Sequence, residues 1–403
     1  SLGSSCTGPG KLCSKPFLVD MGKAEGAGAV ASGKAIFLDI NGDALPDLLT
    51  SSDKGDHTFQ LAVGDTTGHP KFAPAAKPSA KKSSTDFVIG QAQVQTMDVN
   101  GDGYVDLVNA KKGVYLCNYG EGDWSTKTDC VAGSGSTDVG DVSDAGLDSS
   151  DENASGMRFF DYDGDHRSDW LRTSAGGVDT VLLSTGAGFA KAIEMADAIG
   201  SVFDASGSTL QLADMNGDGL QDAVETQGNL LKYRLYYGYG HWGPSVEVSI
   251  NGFSTTELGA AELTDINGDG LSDIVVVQAD KLKFALNRNG AKFDTAVVID
   301  GSMVPGLPAV SDSVLSTFAD MNGNGSLDVV YVNKLTQHVK FLELFPTRPN
   351  LLTKIENGIG MVQEMTYGTS VAEQARDAAA GKPWKYKLPN AMNLVTSTDN
   401  WVT

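Results

Sequence analysis

Six nine-residue stretches concentrate oxygen ligands at alternate positions: "DINGDALPD" from Asp39, "DVNGDGYVD" from Asp98, "DYDGDHRSD" from Asp161, "DMNGDGLQD" from Asp214, "DINGDGLSD" from Asp265 and "DMNGNGSLD" from Asp320. Position one is always Asp. Position three is Asn41, Asn100, Asp163, Asn216, Asn267 or Asn322, and position five is Asp43, Asp102, Asp165, Asp218, Asp269 or Asn324. Position nine is Asp47, Asp106, Asp169, Asp222, Asp273 or Asp328. Hard oxygens on alternate residues converge on one cation if the backbone curls around it, and the Gly at position four permits the positive φ that a tight curl needs. The backbone carbonyl of position seven (Leu45, Tyr104, Arg167, Leu220, Leu271, Ser326) would point inward as well. Calcium suits this set because it accepts about six to eight oxygens in loose geometry, whereas magnesium keeps more water. The plain alternative is a metal-free Asn-Gly or Asp-Gly hairpin turn. The position-nine Asp lies beyond such a turn and recurs six times, which favours up to six calcium ions.

Charge agrees with this reading. The loops hold 3, 3, 4, 3, 3 and 2 Asp residues at these positions, 18 of the 51 acidic residues, and six divalent ions would take the formal charge from −21 to −9. Without cations the clustered carboxylates repel one another. Calcium affinity rises with ligand charge, so loop three is expected to bind most strongly and loop six most weakly.

Elements that could position such loops follow from the flanks. An EF-hand needs Glu at position twelve between two helices. Here position twelve is Thr50, Asn109, Arg172, Glu225, Val276 or Tyr331, and the flanks are strand-like, as in "AIFLD" before loop one and "DIVVV" after loop five. Each loop therefore joins two β-strands. The loops recur at intervals of 59, 63, 53, 51 and 55 residues, the mark of stacked supersecondary units. A second signature, an aromatic after a Gly-rich turn, recurs as Phe72, Trp124, Phe189, Trp242 and Phe293; packing is a more economical role for these rings than ligand contact. Segments such as "TVLLSTGAGFAKAIEM" read as strand, turn, strand, which gives four strands per repeat. The fold expected is all-β: a six-bladed β-propeller of four-stranded blades with a C-terminal β extension. Its divisions are an N-terminal segment 1–32, the propeller 33–346 and an exit segment 347–403. The sixth repeat lacks the aromatic signature, and an orphan copy sits in "SKPFLVDMG" around Phe17, so this N-terminal strand is expected to complete the sixth blade. The chain after residue 346 is then free to leave.

The remaining sequence is less specific. Cys6, Cys13, Cys117 and Cys130 form two sequence-local pairs without a CxxC or His-rich context, which speaks against zinc. Disulfides Cys6–Cys13 and Cys117–Cys130 in an oxidising compartment are the functional reading, four free thiols the plain one. Residues 134–153 are an acidic low-complexity insert, expected to be a solvated loop. With 30 basic residues against 51 acidic ones the chain lacks the basic surface of a nucleic-acid binder. No apolar run is long enough to span a membrane. The chain begins at Ser1 without Met, as expected of a processed or excised piece whose export signal lay upstream. No HExxH, Walker, GxSxG or catalytic cysteine context occurs, and His57, His69, His166, His241 and His338 are scattered, so no enzyme is expected. "YYGYGHWG" from Tyr236 has rings enough to stack a sugar, and blade packing explains it as well.

The loops resemble the FG-GAP/VCBS calcium repeats of integrin-type β-propellers over about residues 33–346, with departures at Ala44 and His166 (position six) and Asn324 (position five). The resemblance implies calcium bound by the loop side chains and the position-seven carbonyl. The last stretch resembles the segment after the propeller in SpvB-type and Tc-toxin B-component proteins. It carries LL-x-x-I-x-NG-x-G from Leu351 to Gly360, then Tyr367, Ser370, Gly381, Lys382, Pro383, Trp384, Leu388 and Pro389. Those proteins continue into an Rhs/YD-repeat shell, and in Tc toxins the B-component propeller attaches to the A-component channel and gates the shell. What the resemblance implies is a secreted or cell-surface, non-enzymatic docking module with a protein partner. An adhesin or lectin propeller that binds a surface receptor or glycan is the alternative, and an enzyme without a sequence signature is a third.

Overall fold

The apolar, β-branched run after each acidic stretch pairs with the run before it, since alternate side chains of such runs bury on the faces of a pleated ribbon. The computed structural model describes residues 15–402 apart from 65–69, 78–84, 92–93, 99–101, 110–113, 119, 121–139, 142–156, 166, 173–177, 186–189, 191, 198, 200–209, 347, 349–350 and 389. Every acidic loop joins an antiparallel pair: Ala35–Leu38 with Asp47–Ser51, Val94–Met97 with Asp106–Asn109, Met157–Phe160 with Asp169–Arg172, Gln211–Ala213 with Asp222–Gln227, Glu262–Thr264 with Asp273–Val277, and Val314–Ala319 with Asp328–Asn333. The position-nine Asp opens the second strand in each pair.

The chain is mostly β, in small antiparallel sheets. Repeats two to six each belong to a four-stranded sheet. In the first repeat Ala35–Leu38, Asp47–Ser51 and His57–Gln60 pair, and among the described residues the fourth strand is represented by a Phe59–Ala76 bridge. The aromatic signature also sits differently. Phe72 and Phe293 lie in two-residue ribbons with Ala62–Val63 and Asn287–Arg288, and Trp242 bridges Tyr236. These rings pack against the sheets as expected, with Phe72 6.1 Å from Phe37 and Trp242 4.6 Å from Tyr236. Trp124 and Phe189 lie outside the described residues. In the second sheet the outer strand is Gly140–Asp141, paired with Val114 and Tyr115, so part of the acidic insert is built into the sheet rather than left as loop. Backbone pairing requires only N–H and C=O groups, and composition gave no sign of it.

Phe17–Lys23 is the outer strand of the sixth sheet, as the orphan signature predicts. It runs antiparallel to His338–Glu343, with Phe17 opposite Glu343 and Lys23 opposite His338. Among the described residues, hydrophobic clusters join the first sheet to the second, the third to the fourth, the fourth to the fifth and the fifth to the sixth. Leu49 and Phe59 meet Leu107 and Leu116, Leu171 and Val181 meet Ala223 and Tyr236, Val224 and Leu231 meet Ile274, and Val275 and Phe284 meet Val329 and Leu342. The sixth sheet in turn packs on the first, where Val330 and Phe341 meet Ala35 and Leu48 beside Val19 and Met21.

After the sixth repeat, Lys354–Glu356, Met361–Thr369 and Asn393–Val402 form a three-stranded sheet. A helix the sequence reading did not anticipate, Ser370–Ala379, starts where Thr369 Oγ1 accepts from the Ala372 N–H at 3.1 Å. This segment is not free to leave: Val371 is buried with Leu45 and Ala62 of the first repeat, so the chain doubles back onto the acidic loops. Among the described residues no helix is long and apolar enough to cross a membrane.

Candidate metal centres

Each loop is wound around its first carboxylate. Asp39 accepts from the N–H groups of Gly42 (2.7 Å), Asp43 (3.2 Å) and Ala44 (2.7 Å). Asp265 accepts from Gly268, Asp269 and Gly270 at 2.7, 3.1 and 2.8 Å. Asp98, Asp161, Asp214 and Asp320 take the same kind of bonds. The position-five side chain then accepts from the position-seven N–H: Asp43 from Leu45, Asp102 from Tyr104, Asp165 from Arg167, Asp218 from Leu220, Asp269 from Leu271 and Asn324 from Ser326. The curl requires φ of 73° at Gly42 and 74° at Gly268, which glycine supplies without strain. Ala44 adopts φ 67° where four other copies have Gly. Position-three Asn41, Asp163, Asn216, Asn267 and Asn322 lie in the same loops; Asn100 and His166 fall outside the described residues.

The position-nine carboxylates have a second task that spacing did not reveal. Each is fully buried. Asp47 accepts from the Ile40 and Ala62 N–H groups (3.0 and 2.7 Å), Asp169 from Tyr162 and Ser184 (2.8 and 2.6 Å), and Asp222 from Met215 and Tyr236 (2.9 and 2.8 Å). Asp106 and Asp273 accept from Asn118 and Asn287, each at 2.7 Å. They are struts between the loop and the third strand. In three repeats the residue whose N–H meets the strut also reaches back one repeat with its side chain. Asn118 Nδ2 donates to Ile40 O (2.9 Å), Tyr236 Oη to Tyr162 O (2.7 Å) and Asn287 Nδ2 to Met215 O (3.0 Å). These ties run from one loop to the next; being spaced across the repeat rather than within the motif, they were invisible to a motif search.

Two further side chains change the charge count. Arg167 Nη2 bonds Asp165, so a guanidinium offsets one of loop three's four carboxylates. Loop six gains Glu343, buried at 4% exposure, whose Oε1 accepts from Asn324 Nδ2 at 3.1 Å. The expected order, three strongest and six weakest, counted loop residues alone; Arg167 and Glu343 bring the charges of loops three and six closer together.

Burial governs the electrostatics. It pushes Asp47 up to about 8, Asp222 to about 7, and Asp43, Asp169, Asp320 and Glu343 to about 6, with neighbouring carboxylates adding to the shift at all of these but Asp320. Asp273 and Asp328 are raised well above the ordinary carboxylate range, again by burial first. Buried carboxylates this close together need protons or a cation.

The residues fit a hard cation. Asn41 Oδ1, Asp163 Oδ1 and Asp328 Oδ1 are buried without hydrogen-bond partners among the described residues. In loop three, carboxylate oxygens of Asp161, Asp163 and Asp169 all lie within 4.8 Å of one another. An oxygen-only donor set of this kind suits calcium, which would neutralise the charge that burial disfavours. Cys117 is buried and is not a free thiol; Cys6, Cys13 and Cys130 lie outside the described residues.

The molecule is thus a series of small antiparallel sheets, six of them carrying an acidic loop that ends in a fully buried Asp, followed by a sheet-and-helix segment. Residues 288–400 match a family described as the insecticide toxin TcdB middle/N-terminal region. No curated protein matches the chain. Among solved structures, a Photorhabdus luminescens Tc holotoxin pore is similar at 20% identity and TM-score 0.72, over 96% of this chain and 17% of that one. A TcdB2–TccC3–Cdc42 crystal structure is similar at 18% identity and TM-score 0.56, over 96% and 18%. An Agrocybe aegerita lectin, solved for its recognition of non-reducing terminal N-acetylglucosamine, is similar at 15% and TM-score 0.50, over 96% and 95%. At these identities the likeness is one of fold, and the chain spans less than a fifth of the toxin chains. The family match is confined to residues 288–400, and what the solved structures share with the chain is its fold.

Proposed function

We propose that this chain is a non-enzymatic, calcium-stabilised six-bladed β-propeller of FG-GAP/VCBS type that serves as the docking module of a secreted Tc-toxin-B/SpvB/Rhs-like protein. The observation that carries the ring is the return of the hydrophobic core from the sixth sheet to the first, with Phe17–Lys23 paired into the sixth. The propeller then occupies 33–346 with its closing strand in 1–32, and 347–403 leads toward a shell. The calcium reading is supported by the partnerless buried oxygens. Disulfides Cys6–Cys13 and Cys117–Cys130 fit a secreted protein. The partner is the A-component channel of a toxin complex. In biolayer interferometry an immobilised Tc A-component channel is expected to capture the chain in calcium buffer, with a Kd of about 1 μM or tighter. Absence of binding at about 100 μM, with the chain folded by circular dichroism, would refute the docking role.

A second reading, glycan binding, rests on one loop. Tyr237 and Tyr239 are 60% and 65% exposed, so their faces can stack on a sugar ring. Tyr239 holds φ 52°, fixed by its N–H to Tyr162 O at 3.1 Å and by the Gly240 N–H to Tyr236 Oη at 2.9 Å. On a glycan array this reading predicts a signal that falls at least tenfold in the Tyr237→Ala, Tyr239→Ala double variant; a blank array removes it.

A further inference from the structure

At two junctions the sequence offers no side chain able to tie neighbouring loops. The register of the third strands places Ala62, Asn118, Ser184, Tyr236, Asn287 and Leu344 at equivalent positions, each two residues beyond the partner of the residue after the position-nine Asp. Asn118, Tyr236 and Asn287 reach the preceding loop. Leu344 and Ala62 have no donor to offer, so the fifth-to-sixth and sixth-to-first junctions lack this bond. In the sixth repeat, Asp328 Oδ1 is also without its strut partner.

The C-terminal segment meets the molecule at these same two places. Arg348 Nε donates to Gly268 O of loop five at 2.5 Å, and a Cβ at Gly325 of loop six would lie 3.3 Å from Arg348 Nη1. Val371, at the start of the helix Ser370–Ala379, packs with Leu45 and Ala62. A Cβ at Gly323 of loop six would lie 2.3 Å from Val371 Cγ2, so the methyl fills the space that Gly323 and Ala62 leave. Asn393 Nδ2 donates to Asn324 O at 3.1 Å. All three residues contact loop backbone or residues flush with it, so they hold only when loops five, six and one keep their places.

We infer that the C-terminal segment is the tie for the two junctions that have no side-chain tie of their own: Arg348, Val371 and Asn393 latch the sixth repeat to the fifth and the first. Undocking the segment and loosening the sixth repeat are then one event. A partner that pulled the segment away would open the molecule at the sixth repeat rather than elsewhere. Conversely, a partner that pressed it down would lock the repeat shut. The inference uses contacts alone and holds whether or not the loops carry calcium.

Hydrogen exchange on the full chain, in calcium buffer and again in EGTA, tests it. In Val371→Asp, peptides covering the helix 370–379, loop six (320–326) and the closing strand 17–23 are expected to exchange at least tenfold faster, while 222–234 in the fourth repeat is unchanged. Arg348→Ala combined with Asn393→Ala, a milder pair, is expected to give the same pattern at about threefold, and it decides the matter if Val371→Asp does not fold. Release of the helix with loop six and strand 17–23 unaffected would overturn the inference. Uniform acceleration, peptide 222–234 included, would overturn it equally, because that is a general loss of stability. Bound calcium, counted by mass spectrometry in the same samples, reports on the metal reading separately.

Discussion

Chelation with EGTA is expected to lower the melting temperature by about 10 °C or more relative to 10 mM calcium. Surface calcium sites of this class bind at about 10⁻⁴ to 10⁻³ M, so 10 mM calcium stabilises each by about 1.4 to 2.7 kcal/mol. Several such sites together shift a chain of this size by at least that many degrees. The pH dependence of the metal-free protein has a definite sign. Asp47, raised to about 8, and Asp222, raised to about 7, have folded-state values above the ordinary 3.8. Their protonated forms favour the fold, so their contribution is complete below about 4 and is lost as pH rises through about 7 to 8. The EGTA-treated protein should melt higher at pH 5 than at pH 8.5. Protons compete with calcium for the same oxygens, so the gap between calcium and EGTA should narrow on acidification. A melting temperature indifferent to EGTA at pH 8.5 would defeat the calcium reading.

The second large effect is independent of metal. Asp222→Ala removes the acceptor of both Met215 N–H and Tyr236 N–H, bonds of 2.9 and 2.8 Å in a fully buried setting. Two stranded donors cost about 2 to 5 kcal/mol together. Asp222→Asn keeps one acceptor oxygen and should cost about half as much. Because these bonds hold strand to loop, the loss should persist in EGTA, read by urea denaturation with and without the chelator. A cost that vanishes in EGTA would mean that Asp222 acts only as a ligand and that the strut has no weight.

The two tasks of the position-nine Asp explain why the loops were so legible in the sequence. A residue that braces the backbone, and in the proposed function also holds calcium, leaves the same letter at the same spacing in every copy. The strands were legible from their β-branched runs, and the closing strand from an orphaned aromatic signature. What escaped notice had a common physical character. The Asn118, Tyr236 and Asn287 ties use different side chains for one job, a donor of suitable reach, and no single letter marks a donor. Glu343 joins loop six through the sheet, 15 residues beyond Asp328, where only strand register brings it close. The outer strand Gly140–Asp141 pairs through its backbone, which composition does not encode. The helix Ser370–Ala379 buries Val371 as its one large apolar side chain, and its other apolar residues are alanines, which do not mark a docking face in the sequence.

The pairing of Phe17 with Glu343 has a mechanical meaning. The chain enters the closing strand at Phe17 and leaves the third strand of the sixth repeat at Glu343, so both ends depart from the same end of one antiparallel pair. Tension between the two ends loads the hydrogen bonds one at a time, in the manner of a zipper, instead of sharing the load along the strand as shear would. The six paired positions from Phe17 to Lys23 therefore part at low force once the first has gone. Arg348 grips loop five only five residues beyond Glu343, which shortens the lever on which such a pull can act. A force applied farther along the C-terminal segment is borne first by that grip and by Val371 and Asn393, and reaches the zipper only when they yield.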